Sequence, residues 1–413
     1  MNAPERELTV ESIAAGGDGV ARAEGLVVFV PRTAPGDVAS VRVSSRGRFA
    51  RGELRSLLRA SPERVEPPCP HYTRDRCGGC QLQHMSYDAQ RAAKASIVRD
   101  ALVRIGRRDA APPEVRPSPL QWRYRRKLTL AMRRAQGRWI AGLHPYDDPV
   151  RVFALGDCPI TDERVVATWR DVLAAAEQLP RARELRGAVR WMGDGASFTL
   201  EGGDQWRFAR QFFDAVPALR ELWWVPDDGR RRRVAARDGD AARAAGASFV
   251  QVNEGVAAAL AEYVASKVAA HAPATVVDAY AGSGAIAQMV AAGGARVTAI
   301  ELDPDAAALC AERLGSAGRV IADAVENALP AALPADVVIL NPPRAGVHER
   351  VTGALAGGGA VRTAIVYVSC NPATLARDIQ RLPGYRVASL LSFDMFPQTA
   401  HVETVCELLP EVA

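Results

Sequence analysis

A cysteine, a glycine-rich turn and a glutamate occupy positions in the sequence where side chains could do chemistry. The apolar run 366–369 leads to Cys370, and the turn-forming pair Asn-Pro follows it. The segment Asp278-Ala-Tyr-Ala-Gly-Ser-Gly284 ends an earlier apolar run with two glycines, and Glu403 lies downstream of both. A thiol at a strand end, a cofactor turn and a carboxylate together suit an enzyme with a thiolate nucleophile and a general base.

The glycine turn predicts a nucleotide-like cofactor. Gly282 and Gly284 allow a tight turn and let backbone N–H groups approach a ligand closely. Glu301 ends the next predicted strand, where a carboxylate reaches ribose hydroxyls, and Asp323 follows the third strand at a position suited to an adenine edge. Taken singly, each acid is equally well explained as a helix N-terminal or loop residue, and the ribose carboxylate also suits NAD. The segment Asn341-Pro-Pro-Arg after the fourth strand is typical of methyltransferases and indicates S-adenosylmethionine.

A thiolate in a methyltransferase points to a pyrimidine substrate. Carbon 5 of a pyrimidine is a poor nucleophile, but addition of a thiolate to carbon 6 creates an enolate whose carbon 5 can attack a sulfonium methyl group. A base must then remove the proton from carbon 5 so that the thiolate leaves. We predict Cys370 as the nucleophile and Glu403 as the base, acting on a base flipped out of RNA. Cys310 and Cys406 are interpreted as buried apolar residues.

A second group of cysteines predicts a metal centre. Cys69, Cys77 and Cys80 are closely spaced, and Cys158 in Gly-Asp-Cys-Pro is the candidate fourth ligand. Four thiolates suit either zinc or an iron–sulfur cluster, and their spacing alone does not choose between these.

Composition favours a cytoplasmic enzyme that binds a polyanion. No long uncharged apolar stretch and no signal peptide are found in the 413 residues, and seven cysteines argue against a disulfide framework. Residues 1–250 contain 42 Lys or Arg and 31 Asp or Glu, whereas residues 251–413 contain 10 and 16. A basic front half fits nucleic-acid binding by that half. The segment 121–127 (QWRYRRK) alternates basic and aromatic residues, which suits phosphate contact and base stacking, although a solvated strand face is an equal alternative.

Three regions differ in their secondary-structure pattern. Residues 7–57 predict four or five short strands with glycine turns, as in a small β-barrel. Residues 86–105 have helical spacing with Ser86 as N-cap, and residues 120–250 are mixed. After residue 251, strands alternate with helices, which predicts a doubly wound parallel sheet of the α/β class. The predicted strands there are 275–278, 296–301, 337–340, 364–369 and 385–393.

Two segments resemble the signatures of the RNA uridine-5-methyltransferase family: 367–378 (YVSCNPATLARD) and 396–405 (FPQTAHVETV). A third segment, 249–253 (FVQVN), is similar to a cofactor-binding segment of that family. The resemblance extends over nearly the whole chain. It implies that Cys370 is the nucleophile, that Glu403 is the proton acceptor, and that the following residues bind the cofactor: Gln251, Tyr280, Gly282, Gly284, Glu301, Asp323 and Asn341.

The resemblance also implies a domain organisation. Residues 1–60 resemble a TRAM module, an OB-like RNA-binding barrel. Residues 61–85 and 115–248 are expected to form a central α+β domain, in which 77–84 (CGGCQLQH) resembles the segment that carries a 4Fe-4S cluster. Residues 86–114 are expected to pack on the Rossmann-like methyltransferase domain, 249–413. Two departures concern the cofactor site: Ala285 replaces a frequent Asn, and Asn341 replaces a frequent Asp.

The expected activity is therefore methylation of carbon 5 of a uridine in structured RNA by a monomer. Ribosomal RNA is favoured over transfer RNA because both the barrel and the cysteine group are present. The alternatives are an RNA cytosine-5 methyltransferase, which shares the thiolate chemistry, and a non-catalytic protein that binds or folds RNA.

Overall fold

The computed structural model describes residues 5–45, 47–237 and 251–411, and within these ranges the strands form three sheets. Each sheet has its own group of buried apolar side chains. No helix in the described ranges is both long and apolar enough to cross a membrane.

The N-terminal sheet has six strands in the order β1-β5-β6-β4-β3-β2. They are β1 (Glu5–Thr9), β2 (Ser12–Ile13), β3 (Gly19–Ala23), β4 (Leu26–Val30), β5 (Val38–Ser45) and β6 (Phe49–Arg59). The sheet curls so that β1 contacts β3, and alternate residues such as Val28, Val30 and Val41 fill its interior. The prediction of four or five strands was too low. The run 8–13 is divided because Val10 and Glu11 donate their N–H groups to Asp37 and Val20, and β3 was not foreseen.

Two helices and a short strand follow: α1 (Pro70–Thr73), α2 (Tyr87–Arg104) and β7 (Glu114–Arg116). Ser86 caps α2 as predicted, since its side chain accepts a hydrogen bond from the Ala89 N–H. The buried face of α2 includes Gln90, Lys94 and Val98.

The central sheet has seven strands in the order β10-β9-β8-β11-β12-β13-β14. Its elements are β8 (Lys127–Ala135), β9 (Arg138–Leu143), β10 (Phe153–Ala154), α3 (Glu163–Ala174), β11 (Glu184–Met192), β12 (Gly195–Glu201), α4 (Ala209–Ala215), β13 (Leu219–Val225) and β14 (Arg232–Ala236). On one face, Trp169 of α3 and Phe212 of α4 pack edge-on or tilted against Phe198 of β12. The opposite face carries Lys127 and Arg190, which are cross-strand partners and therefore point to the same side.

The C-terminal sheet has eight strands in the order β17-β16-β15-β18-β19-β21-β20-β7. Its elements are α5 (Glu254–Ala269), β15 (Thr275–Ala279), α6 (Ala285–Ala292), β16 (Arg296–Ile300), α7 (Pro304–Leu314), β17 (Gly318–Ile321), α8 (Val325–Ala332), β18 (Ala335–Leu340), α9 (Glu349–Leu355), β19 (Val361–Ser369), α10 (Pro372–Gln380), β20 (Tyr385–Phe393) and β21 (Glu403–Pro410). Helix α2 packs on α10, and β7 pairs with β20. The boundary predicted at residue 115 therefore falls inside a strand of this sheet.

The parallel arrangement was predicted correctly for β15, β16, β18 and β19, whereas β17 was not among the predicted strands and β21 is antiparallel to both of its neighbours. β21 was not predicted. Its apolar run is separated from β20 by only nine residues, which are too few for the helical crossover that a further parallel strand would need. Such a short connection allows an antiparallel return. This strand decides the geometry of the site.

Candidate active site

The antiparallel course of β21 brings the predicted nucleophile and base to one edge of the sheet. Cys370 follows the last residue of β19, and Glu403 is the first residue of β21. The strands are in register with Ser369 opposite Thr404, so the two predicted catalytic residues occupy the next pair of positions. Cys370 is half-buried, and Glu403 is only 5% exposed.

Burial and charge shift the acidities of both groups. Burial raises the pKa of the Cys370 thiol, and the nearby Glu403 carboxylate raises it further. Arg344 opposes this shift with its charge and a hydrogen bond to the thiol. Burial raises the pKa of Glu403 to about 7, again with Arg344 acting in the opposite direction. A carboxyl group that titrates near neutral pH can accept a proton and release it again in each turnover.

In the sequence, Arg344 was considered only as part of the segment Asn-Pro-Pro-Arg that indicates a methyltransferase, and it was not predicted as a site residue. The sequence feature that could have identified it is its position in the loop after β18, three residues beyond Asn341. Its backbone carbonyl accepts hydrogen bonds from Asn371 Nδ2 (3.2 Å) and Thr374 Oγ1 (3.3 Å), which tie this loop to the residues after Cys370. The guanidinium is therefore held beside both reactive groups.

His401 lies in the same cationic environment. Burial lowers its pKa to about 4, with further lowering from Arg344, Lys94 and Arg125. Its ring stands edge-on to Phe396, with 5.9 Å between the centroids. The imidazole is therefore neutral at physiological pH, and it lies two residues before Glu403 in the chain.

The predicted cofactor turn has the backbone that its glycines require. Tyr280, Gly282 and Gly284 all adopt positive φ, at 65°, 56° and 80°. A Cβ atom on Gly284 would lie 2.5 Å from the Cys310 sulfur, so packing also excludes any side chain there. Gly282 donates its N–H to Glu301 Oε2 (2.8 Å), which joins the turn to the acid predicted to contact ribose.

The other predicted cofactor residues follow successive strands at the same edge. Asp323 is exposed after β17, where its Oδ1 accepts a hydrogen bond from Ala324 N (2.6 Å). Asn341 is half-buried after β18, and its N–H donates a hydrogen bond to the Ala279 carbonyl (3.3 Å). Gln251 is half-buried just before α5, whereas its neighbours Phe249 and Val250 lie outside the described residues.

Asp278 is a site residue that the sequence reasoning did not select. It is 2% exposed at the end of β15, and burial raises its pKa to about 7, assisted by the charge of Glu301. It accepts a backbone hydrogen bond from Ala287 in α6. This bond holds the start of α6 behind the cofactor turn. The available signal was an acid at the end of an otherwise apolar strand.

The four cysteines predicted to bind a metal line one largely enclosed cavity of about 80 Å³. Cys69, Cys77 and Cys80 are buried, Cys158 is half-buried, and all four are free thiols. Arg32 of the N-terminal region lies over the Tyr72 ring (3.2 Å from its centroid) and donates a hydrogen bond to the Cys77 carbonyl (2.5 Å). Among the residues that the structure describes, no three His, Cys, Asp or Glu side chains are arranged to hold a metal ion.

The predicted RNA-contacting aromatics in 121–127 are not available to bases. Tyr124 is 3% exposed, and its hydroxyl donates to the Pro397 carbonyl (3.0 Å). Trp122 packs beside the cysteine cavity, and Arg123 pairs with Asp157 (2.8 Å). The alternation in the sequence reflects a segment packed between the cysteine cavity and the loop before β21.

Comparison with known proteins supports the chemistry of this edge. Residues 331–410, which contain both Cys370 and Glu403, match the family described as tRNA (Uracil-5-)-methyltransferase, and residues 2–54 match the TRAM domain. The 23S rRNA (uracil(1939)-C(5))-methyltransferase RlmD of Pseudomonas entomophila is 32% identical over 97% of this chain and 93% of its own. The chain belongs to the RNA uracil-5-methyltransferase family.

Further similarities agree with this assignment. An uncharacterized RNA methyltransferase of Halalkalibacterium halodurans is 30% identical over 97% of this chain and 96% of its own. The structure of the Pyrococcus abyssi tRNA (uracil-54, C5)-methyltransferase in complex with S-adenosyl-L-homocysteine has the same fold, with a TM-score of 0.73 and 22% identity over 98% of this chain and 100% of that one.

The family match confirms the resemblance stated from the sequence. The chain is an RNA (uracil-5-)-methyltransferase with the S-adenosylmethionine-dependent methyltransferase fold and an N-terminal TRAM domain. The match decides for uracil against the cytosine alternative and for an enzyme against a non-catalytic RNA-binding protein.

Proposed function

We propose that this enzyme methylates carbon 5 of the uridine in 23S ribosomal RNA that corresponds to the position named for its Pseudomonas relative. The observation that carries the catalytic part is the placement of Cys370 and Glu403 on adjacent antiparallel strands, beside the cofactor turn. The ribosomal substrate is supported by the extent of similarity to that relative, which covers 97% of this chain.

In the proposed mechanism, the Cys370 thiolate adds to carbon 6 of the flipped uracil, and the electron pair of the carbon 5–carbon 6 double bond becomes an enolate. S-adenosylmethionine, held by the cofactor turn and Glu301, would supply an electrophilic methyl group to carbon 5 and would leave as the thioether. Glu403 then accepts the proton from carbon 5, the double bond re-forms, and Cys370 leaves as a thiolate. Arg344 stabilises the thiolate at the first and last steps, because its guanidinium contacts the thiol.

We also propose the cofactor-binding residues as a set at the carboxyl edge of β15 to β18. Such an edge is where open α/β sheets bind their ligands. The set consists of Gln251, Tyr280, Gly282, Gly284, Glu301, Asp323 and Asn341. Glu301 and the turn are already joined by the bond from Gly282, which holds an acid at the position suited to ribose.

For the cysteine cavity we propose a 4Fe-4S cluster held by Cys69, Cys77, Cys80 and Cys158. The donor set fits, since four thiols line one largely enclosed cavity and four cysteine thiolates are the usual ligands of such a cluster. Thiols spread around a cavity suit a multi-atom cluster better than a single zinc ion, which draws its four ligands to one point. Methyl transfer moves no net electrons, so the cluster would serve structure.

RNA binding is proposed for the TRAM domain and for one face of the central sheet. This open face is the one that carries Lys127 and Arg190, opposite to the face covered by α3 and α4. On that face Lys127, Arg186 and Arg190 are close enough that the two arginines help lower the pKa of the lysine, although burial is the larger cause. Arg231 lies over the Trp223 ring (4.4 Å) and interacts electrostatically with Asp303 and Asp305 at the start of α7. The basic face therefore continues to the cofactor edge, as a path for phosphates would.

The proposed organisation keeps the predicted TRAM domain (1–60), central domain (61–85 and 115–248) and methyltransferase domain (249–413), with residues 86–114 packed on the last. It differs in one respect: β7 (Glu114–Arg116) belongs to the methyltransferase sheet, so the central domain resumes after residue 116. The boundary at 248 lies outside the described residues. We propose that the enzyme acts as a monomer in the cytoplasm, where ribosomal RNA is modified.

The test is a map of 5-methyluridine in RNA from a strain that lacks the gene. We expect one 5-methyluridine to disappear from 23S ribosomal RNA and to return with the wild-type gene but not with Cys370→Ala. Loss of 5-methyluridine from transfer RNA, with 23S ribosomal RNA unchanged, would contradict the proposed substrate.

A further inference from the structure

The loop between β20 and β21 leads directly to the proposed base. We call residues 394–402 the strap. Its two ends are joined by the pairing of Phe393 with Glu403, and within it the rings of Phe396 and His401 pack against each other. All of its residues are buried except Phe396, which is half-buried, and His401.

Gln90 of α2 forms a clasp with the strap, 308 residues away in the sequence. Gln90 Nε2 donates to Gln398 Oε1 (2.9 Å), and Gln90 Oε1 accepts from Gln398 N (2.9 Å). Gln90 Nε2 also donates to the Met85 carbonyl (3.0 Å). Gln90 is 1% exposed and Gln398 is 3% exposed, so both amides depend on each other for their hydrogen bonds.

Gln398 has a backbone conformation that its surroundings must maintain. Its φ is +70°, in the left-handed region that non-glycine residues rarely adopt. Its carbonyl accepts hydrogen bonds from Gln81 N (3.1 Å) and Leu82 N (3.0 Å), and the Gln90 clasp fixes its N–H and side chain. Strained conformations of this kind persist only where several contacts determine them, and they cluster at functional sites.

The strap is also anchored at its entry. Lys94, one helical turn after Gln90, donates to Asp394 Oδ1 (2.5 Å) and to the Phe396 carbonyl (3.0 Å), and both ionic side chains are fully buried. Helix α2 thus holds the strap at two points, and the second point, Gln398, is five residues before Glu403. Between these residues lie His401 and the turn into β21.

We propose that Gln90 is a positioning residue for the proton-abstraction step. By clasping Gln398, it fixes the strap so that His401 and the Glu403 carboxylate face the adduct on Cys370. This inference rests on the proposed roles of Cys370 and Glu403. Cys370 itself follows β19 and precedes α10. Although α2 packs on α10, the hydrogen bonds of the clasp reach only Met85 and Gln398. The clasp therefore acts on removal of the proton and release of the product, and not on formation of the adduct.

The test compares single-turnover kinetics of Gln90→Met with wild-type enzyme on unmodified 23S ribosomal RNA made by transcription. Methionine keeps the volume and the helix preference of glutamine but cannot form the clasp. We expect methyl transfer within about threefold of wild type. We expect release of the covalent protein–RNA adduct to slow at least ~10-fold, because a small misplacement of a catalytic group costs up to about 10²-fold. The adduct is read on a denaturing gel, and S-adenosylmethionine affinity by calorimetry should be unchanged.

Two controls separate positioning from loss of stability. Val98→Ala removes a buried side chain from the same helix in a part that packs on the methyltransferase core, and it should lower the melting temperature without adduct accumulation. Gln398→Gly removes the side-chain half of the clasp while relieving the positive φ, so it keeps the test available if Gln90→Met does not fold. It should slow release in the same direction.

Equal slowing of methyl transfer and release in Gln90→Met, or adduct accumulation in Val98→Ala to the same level, overturns the inference. Glu403→Gln serves as the reference for a lost base. If that variant accumulates no adduct, the proposed role of Glu403 fails, and the inference fails with it. If it accumulates adduct and the clasp variants do not, only the positioning role of Gln90 is overturned.

Discussion

Cys370 and Glu403 face each other across two antiparallel strands, at the first pair of positions beyond the Ser369–Thr404 register. They are separated by 33 positions in the sequence, and only the reversal of chain direction in β21 brings them to one edge. In a wholly parallel sheet, the start of the strand carrying Glu403 would lie at the opposite edge from Cys370. The catalytic arrangement is therefore a consequence of one strand's direction.

The pH dependence of the free energy of unfolding should show how much stability the burial of Glu403 costs. Its folded-state pKa of about 7 is above the usual carboxyl value, so the folded protein loses stability as pH rises from about 4.5 to 7. Glu403→Gln removes this penalty. We expect the variant to be more stable than wild type at pH 8 by up to ~3 kcal/mol, at about 1.4 kcal/mol per pKa unit, and to differ little at pH 4.5. Thermal unfolding at both values measures it.

The matched control is Glu349→Gln, which alters an exposed glutamate in the first turn of α9. It should show no comparable gain at pH 8. If the difference in stability between Glu403→Gln and wild type is the same at both pH values, the raised pKa of Glu403 is contradicted.

The cofactor turn should not tolerate a side chain at Gly284. In Gly284→Ala the new Cβ meets the Cys310 sulfur at 2.5 Å and its Cα at 3.0 Å, so α7 or the turn must move. We expect a loss of S-adenosylmethionine affinity of at least ~10-fold by calorimetry, because the turn is where backbone groups approach the ligand. Gly294→Ala has a comparable φ of +96° with open space around it, and it should retain affinity. Similar affinities for the two variants would be evidence against the turn as the cofactor site.

Much of the site could be predicted from the sequence because its residues follow strand ends. Glu301, Asn341 and Cys370 each come directly after a recognisable apolar run, and the topology of parallel sheets places such positions at one edge. Glu403 was predicted as the base from the chemistry that a thiolate needs, and the family resemblance implied the same role. Its place beside Cys370 could not be predicted, because β21 was not recognised as a strand.

Residues that act through distant contacts could not be predicted. Gln90 meets Gln398 across 308 positions, and the amphipathic pattern of α2 gives no sign of a buried amide pair. The segment 121–127 shows the reverse error. Its basic and aromatic alternation suited phosphate contact and base stacking, with a solvated strand face as an equal alternative. Tyr124 fits neither interpretation, because it is buried and its hydroxyl donates to the Pro397 carbonyl, whereas Lys127 at the end of the segment lies on the face proposed for RNA. In the N-terminal sheet, turn glycines concealed β3 within an apparent loop.

Arg32 offers a test of the proposed iron–sulfur cluster. Burial lowers its pKa to about 10, so it remains a cation, and it lies near the charges of Cys69, Cys77 and Cys80. We expect wild-type protein prepared without oxygen to be brown and Arg32→Met to lose its iron absorbance several-fold faster in air, since a buried positive charge stabilises an anionic cluster. Arg22→Met, at an exposed position of the same sheet, should match wild type. A colourless protein containing stoichiometric zinc would refute the cluster.

The open face of the central sheet should contribute to RNA affinity through phosphates. We expect Lys127→Gln and Arg186→Gln each to weaken binding to 23S ribosomal RNA and to reduce the slope of log affinity against log salt by about 1. Anisotropy titrations at several potassium chloride concentrations measure both. Arg362→Gln alters an arginine paired with Asp336 (3.0 Å) near the amino ends of the C-terminal strands and should leave the slope unchanged. An unchanged slope in the first two variants would remove this face from the RNA path.

In the proposed mechanism Cys370 forms a covalent bond to uracil, and Glu403 is needed to resolve it. Mass spectrometry of Glu403→Gln after incubation with unmodified 23S ribosomal RNA and S-adenosylmethionine tests both roles at once. We expect a peptide in which Cys370 carries a methylated uridine, and we expect no such peptide from the double variant with Cys370→Ala. A methylated RNA product released without any adduct, or an adduct on a different cysteine, would contradict this mechanism.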